Sequence, residues 1–409
     1  MNSNKNIIDE ISNQLDQYFS KEESTRFYKL LKESERKAEQ LYDISDNDEK
    51  QINKKLVSGK NIRDQIDRLL TYSEQRISIE NYIKIALSIV QLLINYGELE
   101  LAREITEDLM ERFIADDSVL IAETYLYQSK IEWNQGHWKE SNTLCKKSLT
   151  IFNKLNNDEG MAKCENMFGT ILGEKGEIQK AREHFLRGLD FIKYKQCDSL
   201  KGMLNSNLGI ISNILGRDSE SKSYYVRALN YYSKIDEPRN LARLNHNIGM
   251  FYMKKHQHNL ALKYFNDSIG ISLDKGYLSN CAISFVGKAY AYAQMNQQEL
   301  SDAFAEKALE ISYRINDRLS IAEVYRVKGL IQKALNNQTL SEEYLENSIR
   351  LNEDFDNKVN SAEVSLDLSK LYAESNESEK SDQLLKEVIK YYNKIKAKEV
   401  LINLQPGEL

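Results

Sequence analysis

The side chains best able to do chemistry in this chain are scattered. Five histidines are present, and only His256 and His258 stand close together. No carboxylate lies near them at a metal-ligand spacing, so a solvated turn is expected there and no bound metal. Paired acids such as Glu342 and Glu343 fall in long charged stretches and read as solvated helix faces, not as general acids. A Gly-rich phosphate loop, a nucleophile elbow and an HExxH motif are all absent, which argues against an enzyme and against a cofactor. Two polar residues do stand in equivalent places: Asn207 and Asn247, forty residues apart, each two residues before a glycine, Gly209 and Gly249. An amide carries both donors and an acceptor, so such a pair is suited to recognition by hydrogen bonding.

Equivalent places imply repeated elements, and a column of small residues sets their register. Ala122, Ala162, Gly202, Ala242, Ala282, Ala322 and Ala362 recur every forty residues without insertion or deletion. A second small column runs Ser129, Gly169, Gly209, Gly249, Ala289, Gly329 and Ser369. A third runs Ser141, Ala181, Ser221, Ala261, Ser301, Ser341 and Ser381. A fourth, Ser148, Gly188, Ala228, Ser268, Ala308 and Ser348, is followed each time by Leu or Ile. Small residues let two helix backbones approach, and the adjacent aliphatics fill the seam. Between the second and third columns come Gly136, Gly176, Gly216, His256, Asn296, Asn336 and Asn376. Gly and Asn are suited to the left-handed conformation that follows a helix end. Each unit therefore reads as helix, short turn, longer helix, loop.

The series Gly169, Gly176, Ala181, Phe185, Gly188, repeated as Gly209, Gly216, Ser221, Tyr225, Ala228, resembles the tetratricopeptide repeat. Six residues beyond that family's usual length are expected to lengthen the second helix and its loop, as in Pins/LGN-type scaffolds, kinesin light chains and bacterial Rap regulators. The proline that often ends the second helix is missing, and only Pro238 falls in an inter-repeat loop. The resemblance implies an all-α, right-handed superhelical solenoid of antiparallel helix pairs. We divide the chain into an N-terminal helical segment (1–78), a degenerate first repeat (79–118), seven units (119–398) and a C-terminal tail (399–409).

Composition agrees with this reading. With 41% apolar and 29% charged residues and only two prolines, the chain suits a nearly all-helical body. A formal charge of −6 supplies no electrostatic attraction for nucleic acid. Residues 1–10 lack the apolar run of a signal peptide, and Ile83 to Ile94 is too short and polar to span a membrane, so a cytoplasmic protein with no membrane partner is expected. Four dispersed cysteines fit a reducing compartment, and Cys145, which stands where other units carry an aromatic, is expected to be a small buried apolar residue. In the first eighty residues, Ser20 and Glu23 have capping-box spacing ahead of a helix bearing Phe27, Leu30, Leu31, Ala38 and Leu41. A second helix carries Ile52, Leu56, Ile62, Ile66, Leu69 and Leu70, and Ser58 and Gly59 are expected to weaken or bend it. This segment reads as a cap, an effector or a dimerisation module.

In tetratricopeptide arrays the first helix of each unit lines a concave groove. Carried over by register, that face here presents Lys163, Asn166, Thr170, Asn207, Asn213, Arg243, His246, Asn247, Met250 and Arg326. In relatives that bind peptides, asparagines at the places of Asn207 and Asn247 clamp a ligand's backbone. The resemblance thus implies a scaffold whose partner is a protein or peptide held in the groove. The alternative is a peptide-gated signalling regulator of the Rap type, acting through its N-terminal helices.

Overall fold

The computed structural model describes residues 49–113, 118–315 and 317–402, together with 19–22, 25 and 404; of residues 49–61 it describes the backbone alone. All regular elements among them are helices, and the chain divides into two compact units between Leu155 and Asn156.

The first unit contains α1 (Glu49–Glu74), α2 (Ile79–Tyr96), α3 (Leu99–Phe113), α4 (Val119–Asn134) and α5 (Trp138–Lys154). The α1 backbone runs through Ser58 and Gly59 as one unbroken helix. Ile62, Ile66 and Leu69 of α1 are buried with Ile83, Ala86 and Leu93 of α2 and Leu109 of α3, while Phe19 joins the same core. The Ser78 hydroxyl accepts from the Asn81 amide to cap α2, and Gly97 ends that helix at φ 83°. The helix read between Ser20 and Leu41 lies almost wholly outside the described residues.

The second unit is six antiparallel pairs and a short final helix. The pairs are α6 (Asp158–Glu174) with α7 (Ile178–Phe191), α8 (Asp198–Ile214) with α9 (Asp218–Tyr232), and α10 (Pro238–Lys254) with α11 (His258–Lys275). They continue with α12 (Leu278–Gln294) and α13 (Gln298–Arg314), α14 (Arg318–Ala334) and α15 (Gln338–Asp354), and α16 (Lys358–Glu374) and α17 (Ser378–Lys394); α18 is Lys398–Ile402. Pro238 starts α10, where its missing N–H has no helical partner to lose.

The small columns sit where first and second helices touch. A Cβ on Gly169, Gly209 or Gly249 would come within 2.5, 2.4 or 2.5 Å of the ring of Phe185, Tyr225 or Phe265. Phe265 is wedged from the other side as well, since a Cβ on Gly287 in the next unit would also lie 2.5 Å from it. The serines of the third column do more than keep out bulk. Ser221 Oγ donates to the Gly209 carbonyl at 2.9 Å, Ser301 to Ala289 at 2.7 Å, Ser341 to Gly329 at 2.9 Å and Ser381 to Ser369 at 2.8 Å. In the fourth column Ser148 and Ser348 donate in the same way to the carbonyls of Ala122 and Ala322, both at 2.7 Å. A hydroxyl placed at so close an approach satisfies its own need for a partner inside a dry seam.

The two ends of the second unit meet. Gln179 Nε2 donates to the Ile395 carbonyl at 2.9 Å, and Asn357 Nδ2 to Glu174 at 3.3 Å. Ile178 and Leu215 from the first two pairs share one buried cluster with Val359, Val388, Tyr392, Ile395 and Ala397 from the last. The last pair and the final helix therefore return to the first two pairs.

Candidate functional site

Along the inner face, polar side chains of each first helix bond sideways to the next. Asn207 on α8 donates to Asn166 Oδ1 on α6 at 2.9 Å, and Asn166 Nδ2 donates to Met203 Sδ at 3.3 Å. Asn247 on α10 donates to Ser206 Oγ on α8 at 3.2 Å. Lys254 Nζ donates to the Asn213 carbonyl at 3.2 Å and lies 3.9 Å from Glu363 of α16. Ser284 of α12 meets His246 Nδ1 at 3.5 Å, and the imidazole lies 5.6 Å from the Phe265 ring. Burial, and then the nearby Arg243 charge, pushes His246 down to about 3, so it is a neutral imidazole at ordinary pH.

Of the residues expected on this face, Asn166 bonds to Asn207, Asn247 to Ser206 and His246 to Ser284, while Met250 packs partly buried against the cluster of Met253, Ala261 and Phe265 and the Asn213 side-chain oxygen is buried. Thr170 turns its hydroxyl back onto the Asn166 carbonyl at 2.9 Å, and Lys163 pairs with Glu159 of its own helix at 3.0 Å. Arg243 is exposed. Arg326 stands apart from the others: its side chain is 9% exposed, its guanidinium donates to Asp367 at 2.7 Å and Glu363 at 2.8 Å, and it lies 5.3 Å over the Tyr290 ring. It joins α14 to α16 as an internal ion pair.

The acids around Arg326 were not legible as a group in the sequence, because they come from different repeats. Glu323 lies beside it, and its buried Oε1 has no hydrogen-bond partner. Burial pushes Glu323 up to about 7, with Arg326 only partly opposing and Glu363 and Asp367 adding to the rise. Burial also pushes at Glu363, but Arg326 and then Lys254 outweigh it and hold that carboxyl below the usual range. Burial raises Glu174 at the C-terminal end of α6.

Among the described residues no group of His, Cys, Asp and Glu could hold a metal ion, and no helix is long and apolar enough to cross a membrane. His256 and His258 lie with ring centroids 6.0 Å apart in the α10–α11 turn. Cys145 is fully buried.

The tetratricopeptide-repeat family model matches residues 242–275 and 282–314, the α10–α11 and α12–α13 pairs, so those two pairs are of that type. No curated protein matches in sequence. Among solved structures, a Rap protein complexed with Competence and Sporulation Factor aligns with a TM-score of 0.63 at 11% identity, over 95% of this chain and 99% of that one. The Rap conjugation gene regulator of a plasmid, in complex with a Phr peptide, aligns with a TM-score of 0.57 at 15% identity, over 85% and 98% of the two chains. The apo form of the quorum sensor NprR from B. thuringiensis aligns with a TM-score of 0.50 at 16% identity, over 82% and 94%. At such identities the likeness shows a shared fold: the chain has an all-helical repeat fold resembling that of the Rap regulators.

Proposed function

We propose that the second unit holds an extended peptide of a protein or peptide partner along its inner face, and that the protein acts by binding in the cytoplasm, without chemistry of its own. The observation that carries this is the row of lateral bonds from Asn166, Asn207 and Asn247, on half-buried side chains that the packing of each helix pair does not require. An amide can exchange one such bond for a peptide carbonyl or N–H at little net cost. Peptides bound to the Rap proteins that share this fold support the same occupant here. Asn207 and Asn247 are assigned to the ligand backbone; Lys163, Asn166, Thr170, Asn213, His246 and Met250 to its flanks; Arg243 to its charge, whereas Arg326, expected on this face from the register, is taken up by Asp367 and Glu363 and is left out of the assignment.

A second reading makes the protein a peptide-gated regulator whose output leaves from the first unit. The division of the chain after Leu155 favours it, since a separate compact body is available to act. A pull-down comparing the full chain with the Asn207→Ala/Asn247→Ala variant tests the first reading: a partner captured equally by both removes the inner face from consideration. Deleting residues 1–78 separates the two readings. A plain scaffold keeps its activity, whereas a gated regulator keeps peptide binding and loses its output.

A further inference from the structure

In the second unit, the third residue of each second helix runs Lys180, Glu220, Leu260, Leu300, Leu340 and Lys380. The residue that closes each first helix runs Lys175, Leu215, Lys255, Met295, Leu335 and Ser375. Both places border the turn within a pair, so together they line one edge of the unit. From the third pair to the fifth that edge is aliphatic: Leu300, Leu335 and Leu340 are 45%, 51% and 45% exposed, and Leu260 and Met295 are half-buried. A single exposed leucine is ordinary, but a stripe that recurs at one register over neighbouring pairs marks a surface that something covers.

The second pair shows what covers such an edge. Leu215 holds the place of Met295 and Leu335, yet it is fully buried, in one cluster with Ile395 and Ala397 against which Val400, Leu401 and Leu404 pack. A Cβ on Gly216, the next residue, would stand 2.9 Å from Glu399 Cβ and 3.4 Å from Val400, so α18 lies directly over this turn. At the turn before it, a Cβ on Gly176 would stand 2.7 Å from Tyr391 Oη and 3.0 Å from Lys358 Cβ, so the C-terminal end of the chain covers that turn too. The covering segment is basic as well as aliphatic, with Lys394, Lys396 and Lys398 beside its apolar residues. Glu177 at the first turn is held below the usual carboxylate range by its bond to Lys180, and Lys394 adds to the effect. The helices that carry Leu300 and Leu340 have the opposite charge: α13 has four acids against Lys307 and Arg314, and α15 has five against Arg350 alone.

We propose that the turn edge of the fourth and fifth pairs is a docking surface for a short amphipathic helix of another protein, aliphatic on one face and lysine-bearing on its flank, seated there as α18 is seated on the second pair. Met295, Leu300, Leu335 and Leu340 receive the aliphatic face, and the acids of α13 and α15 attract the lysines. The turns here carry Asn296 and Asn336 in place of glycine, so the helix rests on these leucines and not on the turn backbone. In a second copy of this chain α18 is already occupied by its own second pair, which leaves a different protein as the source. This edge is separate from the inner face, so the proposal goes beyond the function given above and does not depend on it.

The test uses the full chain and, as probe, a fluorescein-labelled peptide with the sequence of residues 394–404, KIKAKEVLINL, followed by fluorescence anisotropy. The expected result is saturable binding that Leu335→Asp with Leu340→Asp weakens about tenfold or more, as for leucines that lose their burial, and that high salt also weakens. Leu273→Asp, at an equally exposed leucine near the C-terminal end of α11, should leave the affinity unchanged. Serine in place of Val400 and Leu401 in the peptide should abolish binding, a comparison that needs no change in the protein. Circular dichroism should be the same for every variant; if the aspartates disturb the fold, Leu335→Ser with Leu340→Ser replaces them. The absence of saturable binding overturns the proposal. So does binding that survives the substitutions at Leu335 and Leu340, which would put the peptide on the second pair in exchange for α18. Neither result bears on the inner face, which the asparagine pull-down reads separately.

Discussion

Replacing Gly209 by alanine should destabilise the second unit, although a glycine inside a helix is normally the weaker residue. The helix term favours alanine by about 0.5–1 kcal/mol. Against it, the new Cβ would lie 2.4 Å from Tyr225 Cε1 and 2.6 Å from Cδ1, about 1 Å inside ordinary carbon contact. The ring has little room to retreat, being 3% exposed and set edge-on to Phe251 with centroids 6.2 Å apart. Nor can the helices spread freely, because Ser221 donates to the Gly209 carbonyl at 2.9 Å across the same contact. Overpacking of this kind costs about 1–3 kcal/mol, so the net loss for alanine is up to about 2 kcal/mol, and valine should lose more. Gly270 on α11 supplies the opposite case, with nothing within 4 Å of its Cβ position. Gly270→Ala should therefore stabilise by about 0.5–1 kcal/mol. Urea unfolding followed by circular dichroism reads both, and thermal midpoints should move in opposite directions by about 2–4 °C per kcal/mol. In Gly209→Ala/Tyr225→Val the two losses should not add, since the second change removes the ring the first collides with. A stabilising Gly209→Ala, matching Gly270→Ala, would refute close approach as the cause of the small columns.

Three further outcomes follow from the geometry. Asn207→Ala with Asn247→Ala should leave helix content unchanged and weaken partner binding, at about 0.5–1.5 kcal/mol per lost bond or roughly five- to a hundredfold in all, by titration calorimetry. Ser221→Ala should cost about 1 kcal/mol of unfolding free energy by removing the bond to Gly209, where an apolar small residue would be neutral if size alone mattered. Glu323 holds its proton up to about pH 7 when folded but releases it near 4.5 when unfolded, so its share of stability is present at low pH and lost as pH rises from about 4.5 through 7. Glu323→Gln should therefore gain about 1–3 kcal/mol over the wild type at pH 8 and little at pH 4, the facing groups Arg326, Glu363, Asp367 and Tyr290 being common to both; equal differences at both pH values would contradict the buried-carboxyl account.

The helix pairs, their turns and their close contacts were legible in the sequence because each is a contact between neighbours that recurs every forty residues. Gly209 against Tyr225 and Gly249 against Phe265 are one interaction written twice, and the left-handed turns from Gly136 to Asn376 are one turn written seven times. Repetition turns a weak local preference into a readable column. The place of Asn166, Asn207 and Asn247 on the first helices followed from the same register, but their lateral bonds did not, since an amide on a helix face can meet either solvent or the next helix. Arg326 shows the limit more sharply: its fate depended on Asp367 and Glu363 arriving from the next repeat, a pairing that no other repeat writes. Only the tertiary structure decided the closure of the second unit. Gln179 and Ile395 are 216 residues apart and Asn357 and Glu174 are 183 apart, and they meet because small rotations between successive pairs add up to bring the last pair back onto the first. No single repeat encodes that sum, so the sequence shows glycine at 176 and 216 without showing what the glycines make room for.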